Sequence, residues 1–344
     1  MENIIPLPRI VILPLLYRCN SRCVMCNIWK KEGGAQWKPV ELERIFSNDL
    51  FSQNVEVVNI TGGEPSLHED FLIIFELVLN KLSHLDTISL QTNGLDVERV
   101  LTVVQFVIQL LLDQESKGRS IHLDINISLD GPEKTHDKIR GVKGAWKAAV
   151  KTARESTKLI KQLRRGSVSF NFTIVRQNIA DIIEMLDIAG ELGIEITYTF
   201  PQETDMFMEN NKTTGDFTID HCQKLELISK LKELNHRTNG RSAISKRYLS
   251  ILVNILEGRE RKSPCPLAKN GVFLEPGGNV YPCWNASRHL LGNIFEQELE
   301  TILVHRADQE YKIQLNESCR TCTSNCYIEW NRKRFAKLSS GLSK

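Results

Sequence analysis

Residues 19–26 read Cys19-Asn20-Ser21-Arg22-Cys23-Val24-Met25-Cys26, a C-x3-C-x2-C spacing that directly follows an apolar run at residues 9–16. The run has the length and composition of a buried strand, so the three thiols sit on a loop at a strand's carboxyl end. Three thiolates on one tight loop can hold three irons of a cubane cluster and leave the fourth iron open. A structural zinc site is the competing reading, and it asks for a fourth Cys or His. The thirty residues after Cys26 contain neither.

Outward from this loop, short apolar runs at residues 55–61, 87–91, 123–129, 168–175 and 194–200 alternate with helix-patterned stretches near 39–47, 69–82, 96–116, 145–162 and 179–192. Strand and helix in regular alternation imply βαβ units, a parallel sheet and right-handed crossovers. Six strands suffice for a curved, incomplete barrel and fall short of the closed eight-stranded form. The expected fold is therefore α/β: a partial (β/α)6 barrel over residues 1–215, followed by a helical connector at 216–260 with a helix at 244–256. A small Cys-rich unit at 261–335, a hairpin with helices, and a tail at 336–344 complete the chain.

Ligands of parallel α/β folds collect at the carboxyl ends of strands. There this sequence places Gly62-Gly63-Glu64-Pro65, Gln91 and Asn93-Gly94, and Asp130-Gly131. A C-x3-C-x2-C loop after the first strand with Gly-Gly-Glu-Pro after the second resembles the radical S-adenosylmethionine (radical SAM) superfamily, over about residues 8–200. The resemblance implies a [4Fe–4S] cluster on Cys19, Cys23 and Cys26. Its open iron is chelated by the methionine end of S-adenosylmethionine (SAM), whose amino group meets the backbone of Gly62, Gly63, Glu64 and Pro65. Glycine permits close backbone approach, and a Glu64 carboxylate can accept from an ammonium.

The same resemblance implies adenine contact at the position of Met25, where the family often carries an aromatic side chain. Val175 and Tyr198, at strand ends, are expected to contact adenine or substrate. Ser128 and Asp130 are expected to turn to one face and bind ribose or the methionine moiety, with Asn93 and Gln91 lining the site. The stretch His136-Asp137-Lys138-Ile139-Arg140-Gly141 resembles an H-D-x-x-R-G segment whose arginine approaches the SAM carboxylate, a role carried to Arg140. His136 is read as ordering that loop.

The chain has nine Cys. Beyond the first three come Cys265, Cys283 in a G-x4-C context, and Cys319-Arg320-Thr321-Cys322-Thr323-Ser324-Asn325-Cys326. Strand-like residues 271–274 and 279–281 predict a hairpin between Cys265 and Cys283. By spacing alone a zinc ribbon fits as well as a cluster. In the company of the front loop, the region resembles the SPASM/twitch extension of radical SAM enzymes. That implies one auxiliary [4Fe–4S] cluster on Cys265, Cys283, Cys319 and Cys322, or two, with Cys326 as an alternative ligand. Cys222, alone on a helix pattern, is expected to be a buried thiol.

Charged residues are 25% of the 344, and 44 Lys+Arg against 42 Asp+Glu give a net charge of +2. Nothing global asks for nucleic acid. The apolar stretch at 100–112 is too short to span a bilayer, and residues 10–16 lack the marks of a signal peptide, so a cytoplasmic protein without membrane partners is expected. The family resemblance implies a one-electron reductant such as flavodoxin or ferredoxin. With eighteen residues ahead of Cys19, no N-terminal peptide-binding domain is expected. A small-molecule, natural-product or sugar-like substrate is therefore expected, with peptide or protein maturation as the alternative. A zinc-organised interaction module or a pure electron-transfer protein are the readings outside enzymology.

Overall fold

The computed structural model describes residues 7–324 except 32–33, 202–203, 205–206, 211–217, 239–245, 262–264, 287–288, 309–311, 313–314, 316 and 318. Cys326 and the 336–344 tail lie outside the described residues.

Six parallel strands carry the expected barrel: β1 (Ile10–Pro14), β2 (Val57–Thr61), β3 (Thr87–Thr92), β4 (His122–Ser128), β5 (Gly166–Thr173) and β6 (Glu195–Thr199). They pair in chain order. In-register neighbours run from Ile10 beside Val57 to Thr173 beside Thr199. The crossovers contain α1 (Pro39–Phe46), α2 (Asp49–Ser52), α3 (Phe71–Lys81), α4 (Val97–Ser116), α5 (Glu133–Arg140), α6 (Ala145–Ile160) and α7 (Ile182–Leu192). The Asp96 side chain caps α4 by accepting from Arg99 N at 3.1 Å, and α5 and α7 end on left-handed Gly141 and Gly193. Neither α2 nor α5 is legible in the sequence: one is four residues long, and the other is mostly polar.

The chain continues through α8 (His221–Arg237), α9 (Lys246–Leu256) and α10 (Pro266–Asn270) to the expected hairpin, β7 (Gly271–Leu274) with β8 (Asn279–Tyr281), then β9 (Gly292–Asn293) and α11 (Leu299–His305). The hairpin extends the barrel's own sheet. β7 runs parallel to β1, with Ile10 beside Gly271 and Ile12 beside Phe273, and β8 and β9 follow antiparallel, giving nine strands in one sheet.

The barrel is apolar outside and, along β3–β6, polar inside. Along β4, Leu123, Ile125 and Ile127 are buried under the helices, whereas Asp124, Asn126 and Ser128 face the interior cavity. The outer face contributes the main core, including Phe170, Phe172, Val104 and Leu249. Each such fully buried side chain stabilises the fold by roughly 1.5–3 kcal/mol. The inner wall is tied across strands: Asn126 donates to Ser89 Oγ at 2.9 Å and accepts from Ser169 Oγ at 2.7 Å. Among the described residues, no helix is long and apolar enough to cross a membrane.

Candidate functional site

A cavity of about 610 Å³ fills the barrel. At the carboxyl ends of the strands it is lined by Cys19, Cys23, Met25, Cys26, Gly62, Gly63, Asn93, Ser128 and Arg140. Gln91, Asn126, Asn171 and Thr197 form a polar wall, and Ile10, Ile12, Phe207, Leu267 and Trp284 an apolar one.

The cysteine loop is held at both ends. Its backbone bonds the end of α5, Arg22 N to Arg140 O at 2.8 Å and Val24 N to Ile139 O at 3.0 Å. Ser21 Oγ reaches Arg140 O and Cys23 Sγ, each at 3.1 Å. Opposite, Gly63 N donates to Leu16 O at 2.8 Å and Glu64 N to Arg18 O at 3.0 Å, so the glycine turn is clipped onto the base of the loop. Gly62 has φ +140°. A Cβ at Gly63 would stand 2.1 Å from Arg18 O, which is why only glycine fits there. Gly63→Ala is therefore expected to lower the melting temperature and the iron bound by the front loop together, read by calorimetry and iron analysis.

Burial first, then the neighbouring Cys23, pushes the Cys19 and Cys26 thiols up to about 12. A protein that packs thiols so disfavours bare thiolates, and a cationic centre among them relieves both costs. The donor set thus fits a cluster with three protein ligands. With its N–H group spent inside the protein, Gly63, which lines the cavity, can offer its carbonyl oxygen, an acceptor suited to an ammonium.

Arg140 is the fixed charge of the site. Its Nε donates to Asp130 Oδ2 at 2.5 Å and its Nη1 approaches Cys23 Sγ at 3.4 Å. Burial alone would lower its pKa, but Asp130 and Cys23 raise it, so the guanidinium is held charged beside the thiols.

Several expected contacts are elsewhere. Asp130 does not line the cavity: β4 ends at Ser128, and the fully buried Asp130 carboxylate accepts from Thr173 N at 2.8 Å as well as from Arg140. Glu64 is also withdrawn. Its carboxylate is consumed by Ser66 N, Thr92 Oγ1 and Asn93 N at 3.2, 2.9 and 2.7 Å, tying the second and third strand ends together; burial raises its pKa against these donors. Pro65, buried, starts the short turn behind Glu64. Tyr198 points away from the cavity, because alternation on β6 turns Thr197 and Thr199 inward. Its ring packs on Phe172 and its hydroxyl donates to Ile182 O at 2.7 Å. Val175 lies past the end of β5, packed with Ile139 behind Met25. Met25 is buried in that cluster while reaching the cavity, and its carbonyl accepts from Asn210 Nδ2 at 2.7 Å. Asn93 Nδ2 donates to Asn20 Oδ1 at 2.7 Å and approaches Cys19 Sγ at 3.7 Å.

Sequence reasoning missed Ser21, Asn20 and Asn178. Asn178, buried, donates to Asp130 O and Thr173 O, both at 2.9 Å. No spacing rule announces it, because its partners come from two other strand ends.

His136 is buried, and its Nδ1 accepts from Asp130 N at 2.9 Å. Burial lowers its pKa from 6.5 to about 4. The unfolded chain gains this proton below 6.5 and the folded one only near 4. The contribution is thus fully present above 6.5 and lost as pH falls through that window, by up to about 3 kcal/mol. Urea midpoints of the wild type are expected to fall between pH 7 and 5, with a flatter slope in His136→Gln.

A second, small cavity is lined by Cys265, Cys283, Cys319 and Cys322, with Arg261, Trp284 and Asn285. Burial, then the other thiols, drives Cys283 well up, and Cys319 is pushed up to about 12, burial again being the main cause. Asn285 Nδ2 and Ser324 N point at Cys322 Sγ at 3.6 and 3.5 Å. Four thiols around one enclosed space, with donors turned to sulfur, fit an iron–sulfur cluster. Leu267, Trp284 and Ser324 line both cavities and form the wall between them. Cys222, expected to be buried, is exposed near the start of α8.

Residues 13–189 match the family model of the radical SAM superfamily, and residues 265–327 that of the SPASM iron–sulfur cluster-binding domain. The chain belongs to the radical SAM superfamily and carries a C-terminal SPASM domain. Its cofactors are accordingly a [4Fe–4S] cluster with SAM, and auxiliary iron–sulfur binding in the SPASM region. Among curated proteins it is similar to Fe-coproporphyrin III synthase of Methanosarcina barkeri, 29% identical over 235 residues, covering 63% of this chain and 52% of that protein. It is also similar to the antilisterial bacteriocin subtilosin biosynthesis protein AlbA of Bacillus subtilis. That match is 23% identical over 327 residues and covers 92% of this chain and 65% of AlbA. The chain thus spans between about half and two thirds of the length of these relatives. Streptococcus suis SuiB bound to S-adenosylmethionine shares the fold at TM-score 0.64 and 15% identity, over 96% of this chain and 76% of SuiB.

Proposed function

We propose that this protein is a radical SAM maturase that oxidises a peptide. The small-molecule substrate expected from the sequence has less support. The observation that carries the peptide reading is the AlbA match. It runs over 92% of the chain and leads to a protein of bacteriocin biosynthesis. The cavity suits it chemically: an amide-and-hydroxyl wall can meet peptide groups while the facing apolar wall takes a side chain.

When bound, the reduced cluster with SAM supplies a 5′-deoxyadenosyl radical able to remove a hydrogen atom from an unactivated C–H bond. Cys19, Cys23 and Cys26 would hold the first cluster, and Cys265, Cys283, Cys319 and Cys322 an auxiliary one. Gly62 and Gly63 would accept from the SAM ammonium, Arg140 would face its carboxylate, and Met25, Asn93 and Ser128 would border it. The barrel walls orient the substrate and exclude water.

The test is anaerobic turnover with deuterated peptide fractions. Deuterium is expected in 5′-deoxyadenosine, with a peptide that has lost two hydrogens. A second reading is favoured by the 29% identity to Fe-coproporphyrin III synthase: label transfer only from a porphyrin would overturn the peptide assignment.

A further inference from the structure

Among the described residues that line the four-thiol cavity, Arg261 carries the one charged side chain, and no Asp or Glu joins it. It is half-buried and stands shortly before Cys265 in the chain. Its backbone N donates to Arg320 O at 2.8 Å and its Nη1 to Cys322 O at 3.4 Å. The residue is thereby moored to the loop that carries Cys319 and Cys322. Its charge reaches the sulfurs: burial is the main cause raising the Cys265 and Cys319 thiols, and Arg261 acts against it at both.

The acids just before Arg261 in the chain are held by other cations. Glu257 pairs with Lys232 at 3.0 Å and with Arg259, and Glu260 pairs with Arg320 at 3.5 Å. Three N–H donors share the cavity wall with Arg261. Asn285 Nδ2 and Ser324 N turn to Cys322 Sγ, and Trp284 Nε1 is buried without an acceptor among the described residues.

We infer that Arg261 raises the reduction potential of the C-terminal cluster, so that this centre serves as an electron acceptor rather than an electron source. The inference rests on the reading that Cys265, Cys283, Cys319 and Cys322 hold that cluster. Each added electron makes a four-thiolate cluster more negative. A fixed cation beside it therefore favours the reduced form, and N–H donors to sulfur act in the same direction. The donors are neutral and the lining holds no acid, so the guanidinium supplies the net charge of the wall. Leu267, Trp284 and Ser324 separate this charge from the main cavity, so it acts on the C-terminal centre first.

The test is a redox titration followed by electron paramagnetic resonance on the full chain, reconstituted without oxygen. Cys23→Ala serves as the parent, so that the C-terminal centre is the one read. Arg261→Gln is expected to lower its midpoint by about 59 mV or more, which is tenfold in the one-electron equilibrium. Arg261→Lys keeps the charge and is expected to recover most of that shift. Arg259→Gln removes an exposed cation paired with Glu257 and should leave the midpoint unchanged. Iron per chain is expected to be equal in the parent and all three variants. An unchanged midpoint in Arg261→Gln, or an equal fall in Arg259→Gln, overturns the inference. Loss of iron in Arg261→Gln would assign Arg261 to holding the site rather than its potential, and overturns it as well. Zinc in place of iron in the parent would instead remove the cluster reading, and the role of Arg261 with it.

Discussion

Cys23→Ala is expected to abolish formation of 5′-deoxyadenosine from SAM under dithionite and to remove about four irons per chain. Cys23 is the hub of the loop. Ser21 Oγ and Arg140 Nη1 both turn to its sulfur, and its charge raises the pKa of Cys19 and Cys26. Two remaining thiols leave a cubane short of ligands. Cys283→Ala is expected to lose the C-terminal iron alone and to retain cleavage, because its cavity is walled off by Leu267, Trp284 and Ser324. Persistent 5′-deoxyadenosine in Cys23→Ala would contradict the assignment of the front loop.

The second large effect is expected at the buried pair behind that loop. Arg140→Met strands the fully buried Asp130 carboxylate with Thr173 N and no counter-charge, at a cost of about 3–5 kcal/mol. Asp130→Asn leaves the arginine unneutralised and should cost a comparable amount. The double variant is expected to lose clearly less than the sum of the two, which urea unfolding of the four proteins measures. Additive losses would mean that the pair is not coupled. Arg140→Lys is expected to lower SAM cleavage, because one ammonium cannot span both Asp130 and Cys23 as the guanidinium fork does.

The strands were legible because each is a short apolar run with turn residues after it, and the motifs were legible because iron ligation and close backbone approach restrict the residue type. The direction of individual side chains was not. A wall that is polar inside along β3–β6 and apolar under the helices reverses the usual guess, and Tyr198 on β6 lies outside the cavity that Thr197 and Thr199 face. Glu64 and Asp130 are acidic residues in site loops, yet they act on other loops through backbone donors supplied by Asn93 and Thr173. Such long-range partners leave no mark in local spacing. Nor does the sheet position of the hairpin, since short strands such as Gly271–Leu274 carry no signal for which neighbour they choose.

The pairing of β1 with β7 also sets a schedule. The two strands lie about 260 residues apart, so a ribosome adding roughly 5–20 residues per second needs on the order of tens of seconds between them. Throughout that interval one edge of the first strand stays unpaired, close to the loop that carries Cys19, Cys23 and Cys26. High contact order of this kind slows folding and exposes a sticky edge, so production in a host should gain from slow growth and chaperones more than from added iron alone.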